Sequence, residues 1–174
     1  TMFLSPFNSY RFETGSVFII DLIFSSILLV GIILSLIFTK YHRLITFTFF
    51  AIWIGYIGYT YQMKLKAEKV ATEYLTSQSL DLKDFTIYSS PRPVSAKNWT
   101  ISALDNKNEI YYVADFSLDN HKEISHDYRN QNFIQLLDNM FVPYSKAIWT
   151  TLPKWGKTSE EKELAKKIWN DDLF

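Results

Sequence analysis

Two long apolar runs, separated by four polar residues, occupy the first third of the chain. Val17 to Thr39 is a 23-residue run whose only charged member is Asp21. A helix of that length rises about 35 Å at ~1.5 Å per residue, enough to cross a hydrocarbon core of ~30 Å. A secretory signal would have an apolar region of only about 7–15 residues ending in small side chains. This run instead ends Leu36-Ile37-Phe38-Thr39-Lys40. Lys40-Tyr41-His42-Arg43 breaks the pattern, and a second uncharged run of 18 residues follows from Leu44 to Tyr61. So short a break forces the two helices into an antiparallel hairpin. Tyr41, Tyr59 and Tyr61 fall where aromatic side chains favour the membrane–water interface. Gly31 and Ser35 on the first helix, and Ala51 and Gly55 on the second, have the four-residue spacing that lets helix backbones approach closely.

Beyond Tyr61 the pattern changes twice. Gln62 to Ser79 contains no Pro or Gly, and Met63, Leu65, Val70 and Leu75 recur loosely on a helical face, so the second helix is expected to continue past the membrane. From Leu80 the period shortens to two. Phe85-Thr86-Ile87 alternates and is ended by Ser90-Pro91-Arg92-Pro93. Trp99, Ile101 and Ala103 alternate with Thr100 and Ser102. After the turn residues Asp105-Asn106-Lys107-Asn108, Ile110, Tyr112, Ala114 and Phe116 alternate with Tyr111, Val113 and Asp115. These predict three short antiparallel strands in a meander. Helical patterns return over Tyr128 to Met140, with Phe133, Leu136, Leu137 and Met140 on one face. They return again after Thr158, whose pairing with Glu161 makes a capping box for a helix to about Trp169. The predicted fold is a membrane α-helical hairpin followed by a small α+β domain with an antiparallel three-strand meander. Its parts are a pre-membrane loop (1–16), the hairpin (17–61), a helical extension (62–79) and the soluble domain (80–174).

Composition sharpens this division. The 174 residues carry 18 basic and 18 acidic side chains, yet residues 1–61 hold only Arg11, Glu13, Asp21, Lys40 and Arg43. The balance argues against a nucleic-acid partner, which would select a basic face. No cysteine is present, which excludes disulfides, thiolate metal sites and cysteine nucleophiles. The five glycines are scattered, so there is no phosphate-binding loop, and no Gly-x-Ser-x-Gly or His-Glu-x-x-His sequence occurs.

A few side chains stand out. Asp21 is an acid within an apolar span, where ionisable groups are expensive and mark functional positions. It also lies only four residues inside the run, where a helix N-terminus favours negative charge. Arg11, ten residues earlier, could be its counter-charge. His121 and His126 sit among three acids, but a spacing of five puts them on neither one helix face nor one strand face, and a solvated connection is the simpler reading. His42 lies in the basic break and reads as interfacial. Lys64, Lys66 and Lys69 follow the second span, diluted by Glu68 and Glu73. With Arg11 they lean the positive-inside rule towards a cytoplasmic soluble domain.

Phe3-Leu4-Ser5-Pro6-Phe7, then Arg11-Phe12, then Val17-Phe18-Ile19-Ile20-Asp21 resembles the second half of the LexA-regulated, inner-membrane-associated metal-dependent hydrolases of bacteria. In that family a Trp-Pro-Phe-like segment and an Arg-Phe lead into Val-Phe-Ile-Ile-Asp-Pro and a long apolar helix. Here Ser5 replaces the Trp and Leu22 the usual Pro. Ser89-Ser90-Pro91-Arg92-Pro93 followed by Trp99, and Tyr111-Tyr112-Val113, are similar to the family's later pattern. The resemblance covers roughly residues 1–118 and fades afterwards. It implies that this chain is the C-terminal part of a longer protein of the bacterial inner membrane, multi-pass. Its divalent metal, zinc or manganese, would be held by His and Asp motifs upstream, with none bound by this chain alone. The partners it implies are the lipid bilayer and the N-terminal part of the same protein.

On that resemblance, Asp21 and Arg11 are the catalytic-site candidates, placed near the lost centre, with Asp21 orienting a metal-ligating His. The reaction implied is attack of metal-activated water on an ester or phosphoester. The family takes its name from its His/Asp pattern, so the substrate is open. A non-enzymatic membrane-anchored binding module is the alternative, and a transport-complex subunit using the small-residue faces is a third.

Overall fold

The computed structural model describes residues 22–124 and 131–170. Helix α1 spans Leu22–Ile37 and helix α2 spans His42–Ser77, joined through a single 3₁₀ turn at Thr39–Tyr41. Uninterrupted apolar sequence favours helix here because a helix satisfies every backbone group internally. Phe38 N–H still donates to Leu34 O at 2.9 Å, and His42 Nδ1 donates to Thr39 O at 2.7 Å, so the reversal leaves few orphan groups. The helices touch where the side chains are smallest. A Cβ at Gly31 would lie 2.8 Å from Phe49 Cβ, and the Ser35 and Thr46 hydroxyls are 3.2 Å apart. Gly55, by contrast, has nothing within 4 Å, and Ala51 is exposed, so the small pair on α2 faces away from α1.

Helix α2 runs unbroken for 36 residues and ends in a left-handed cap. Ser79 takes φ +59°, with Leu80 N–H donating to Leu75 O and Ser79 N–H to Thr76 O. This bond pair closes a helix whose next residue is left-handed, a place usually filled by glycine. Helix α2 with its preceding turn (39–77) is long and apolar enough to cross a membrane. The described part of α1, 16 residues or about 24 Å at ~1.5 Å per residue, falls short of a ~30 Å core. Among the described residues, one helix is therefore long and apolar enough to cross a membrane. Residues 17–21, which the sequence pattern assigns to the first span, lie outside them.

Four strands follow, rather than the three expected: β1 Phe85–Pro91, β2 Asn98–Asp105, β3 Ile110–Ser117 and β4 Thr150–Pro153. They form one antiparallel sheet in sequence order. Register pairs Trp99 with Phe116 and Ile101 with Ala114. These four side chains share one face, and across it lies α2, presenting Met63, Ala67 and Ala71 at four-residue intervals. The core is thus between the sheet and the second half of α2. Tyr74 stacks on Trp149 at 4.3 Å at its border. The fourth strand carries no alternation of burial, since all four of its residues are exposed. Only its pairing with β3, Thr150 opposite Val113 through Pro153 opposite Ile110, makes it a strand. Pro153 is tolerated because β4 is an edge.

Helix α3 is Phe133–Asn139, later and shorter than the predicted Tyr128–Met140, because Asn132 and Gln135 form a reciprocal capping box that starts the helix there. Helix α4 spans Ser159–Asn170, preceded by the expected Thr158–Glu161 box, in which Glu161 N–H donates to Thr158 Oγ1 and Thr158 N–H to Glu161 Oε2. Those backbone donors hold the Glu161 carboxyl below its ordinary pKa.

Candidate functional site

The sheet face turned away from α2 carries a row of three polar side chains, one just past the end of β1 and one each from β2 and β3. Arg92 follows the last residue of β1 and is kept in register by its N–H bond to Asn98 O at 2.9 Å. Thr100 of β2 lies directly opposite Asp115 of β3, so both project from the same face. Arg92 Nε donates to Thr100 Oγ1, which in turn donates to Asp115 Oδ1, and Arg92 Nη2 lies 4.0 Å from that same oxygen. Thr100 is buried while the two charged groups are about half exposed. The Thr100 hydroxyl is committed to its neighbours and is not a free nucleophile. What this row leaves open is a guanidinium edge beside a carboxylate edge.

Apolar walls rise around that pair. Arg92 and Asp115, with Pro93, Leu137, Met140 and Phe141, line a cleft of about 300 Å³. A second hollow of about 440 Å³ adjoins it, sharing Asp115 and Met140 and bounded by Ile148 and Leu152. Polar donors and acceptors fixed in place within apolar walls are the composition of a binding surface.

A second polar cluster pins the same end of the sheet. Lys97 Nζ lies 2.8 Å from Asp119 Oδ2, a hydrogen-bonded pair that raises the lysine pKa and lowers that of the carboxyl. Asn98 is fully buried at the start of β2 and donates from Nδ2 to Asp138 Oδ1 at 2.7 Å, while Lys122 Nζ sits 2.9 Å from Asp138 Oδ2. At the opposite end, Asp105 anchors the β2–β3 turn. Burial would raise its pKa, but hydrogen bonds from Asn108 and from the Lys107 backbone outweigh this and lower it.

The residues singled out in the sequence fare unevenly. Asp21, Arg11 and His126 lie outside the described residues. His42 is occupied at the hairpin turn, and His121 sits in a turn where its backbone N–H donates to Asp119 Oδ1 at 3.2 Å. Lys64 and Lys69 pair along α2 with Glu68 and Glu73. Among the described residues no group of three or more His, Cys, Asp or Glu side chains could hold a metal ion. The divalent ion implied by the resemblance therefore has no cradle among them. The Arg92–Thr100–Asp115 row was not singled out, because its members are 8 and 15 residues apart and meet only through strand register. The opposed pairing of Thr100 and Asp115 across a two-residue alternation was the one available signal.

Comparison with family models, curated proteins and solved structures finds no match.

Proposed function

We propose that this chain anchors a protein in the bacterial inner membrane and presents a small sheet domain at the bilayer surface. The observation that carries this reading is the change of character along α2 between Tyr59 and Thr60. From His42 to Tyr59 the helix is mostly exposed and apolar, over 18 residues or about 27 Å at ~1.5 Å per residue, close to a ~30 Å hydrocarbon core. Thr60 is 1% exposed, and from there Met63, Ala67, Ala71 and Leu75 are covered. One helix is thus both span and seat, with no flexible linker between them. Together, α1 and α2 form a multi-pass hairpin whose Lys40–Arg43 turn lies on the far side. Leu36, Leu44 and Phe47, all more than 60% exposed, then meet lipid rather than water.

The resemblance carried by Val17–Asp21 and by Pro91–Trp99 supports placing the chain as the C-terminal part of a metal-dependent hydrolase. Zinc or manganese would then be held by a preceding segment, with Asp21 and Arg11 near that centre. Metal analysis of the full-length gene product, purified from membranes, tests this. Stoichiometric metal is expected, and Asp21→Asn should weaken metal affinity or activity roughly 10–100-fold. A full-length product that binds neither ion would end the hydrolase reading. The non-enzymatic binding module would then stand, favoured by the Arg92–Asp115 cleft, whose polar groups are already paired for recognition.

A further inference from the structure

We propose that α3 is a second contact with the membrane, lying in the headgroup region beside the point where α2 emerges; this rests on the reading of α2 as a span. Height above the bilayer follows from the packing. Strand β1 starts beyond the end of α2 and runs back along it, with Ser89 Oγ donating to Glu68 Oε1 at 2.7 Å and Trp99 packed in one cluster with Met63. The β1–β2 turn, where Lys97 is bonded to Asp119, is therefore the end of the sheet nearest the exit of the span. The next residue, Asn98, holds α3 through Asp138 at 2.7 Å, and Lys122 grips the same carboxylate from the adjoining loop. Just past α3, Val142 O accepts from Ser117 N–H at 2.7 Å, at the last residue of β3. Helix α3 is therefore fixed at the membrane-facing end of the sheet.

Its side chains are arranged the wrong way round for water. Asp138 turns inward to Asn98 and Lys122, and Asn139 donates to Gln131. Outward stand Phe133, 73% exposed, Ile134 and Leu136, while Leu137 and Met140 line the cleft beside Arg92. A surface helix in water buries its apolar stripe and exposes its polar one. The inverse order suits an element whose outer medium is the boundary of headgroups and acyl chains, where interfacial helices sink ~5–10 Å. The occupant is lipid because the rooted span holds this end of the domain against the bilayer continuously.

The absence of cysteine allows single spin labels to be placed on the full chain in phosphatidylcholine–phosphatidylglycerol vesicles. Labels at Phe133→Cys and Leu136→Cys would be compared with Ile52→Cys on the span and Lys107→Cys at the far turn. Relaxation by oxygen, which concentrates in lipid, is read against relaxation by a water-soluble nickel chelate. The expected result is oxygen dominance at 133, 136 and 52 and chelate dominance at 107. Chelate dominance at 133 and 136 with oxygen dominance at 52 would overturn the α3 contact and leave the span standing. Chelate dominance at 52 as well would overturn both. Protection from both reagents at 133 and 136 would show a protein or a second copy on this face and would also overturn the lipid contact.

Discussion

Ala71→Leu tests whether the sheet is seated on α2. Ala71 is 0% exposed and stands in the row of Met63, Ala67, Ala71 and Leu75 beneath Trp99, Ile101 and Phe116. Alanine at this position lets large side chains of the sheet reach the helix. Leucine adds three carbon atoms where no surface is open, and overpacking of this kind costs about 1–3 kcal/mol. At about 1.4 kcal/mol per tenfold, that is roughly a 5- to 150-fold loss in the folding equilibrium. With a urea slope of about 1–3 kcal/mol per molar, a loss near 2 kcal/mol lowers the midpoint by about 1 M. The assay is urea unfolding of the intact chain in mild detergent, followed by near-ultraviolet circular dichroism of the aromatic core. Ala51→Leu is the control, since Ala51 is exposed in the apolar half of the same helix. It should shift stability by less than about 0.5 kcal/mol. If the two variants behaved alike, the sheet would not rest on α2, and the step from span to seat would fail.

Further outcomes follow from other contacts. Gly31→Leu should push α1 away from α2, because even a Cβ there would meet Phe49 at 2.8 Å. Oxidation of a Ser35→Cys/Thr46→Cys pair, whose native hydroxyls are 3.2 Å apart, should slow several-fold, and an unchanged rate would locate the close approach elsewhere. Ser79→Gly should stabilise by about 0.5–1 kcal/mol in thermal unfolding, since φ +59° is strained for serine and free for glycine. Glu109 accepts from Lys162 and Lys166 of α4, which lowers its pKa to about 2. A carboxyl depressed in the folded state stabilises above its unfolded pKa, and that contribution fades as pH falls through the folded value. The stability difference between the native chain and Glu109→Gln should therefore shrink between about pH 5 and pH 2, and a difference independent of pH would refute the pairing.

What the sequence determined by itself was whatever depends on neighbours in the chain. Apolar continuity marked α2, because a helix bonds only within itself. The continuation of α2 past Tyr61, the alternation of β1 to β3 and the Thr158–Glu161 cap were legible for the same reason, since each signal is complete within a few residues. Tertiary structure decided the rest. Thr150–Pro153 is a strand because β3 offers an unpaired edge, not through any pattern of its own. Arg92, Thr100 and Asp115 form one row because register sets them side by side. Phe133, Leu136, Leu137 and Met140 share a face by periodicity, and it is the capture of Asp138 by Asn98 and Lys122 that leaves Phe133 and Leu136 exposed while Leu137 and Met140 line the cleft. Periodicity tells which residues share a face, but only contacts between distant segments decide which way that face turns.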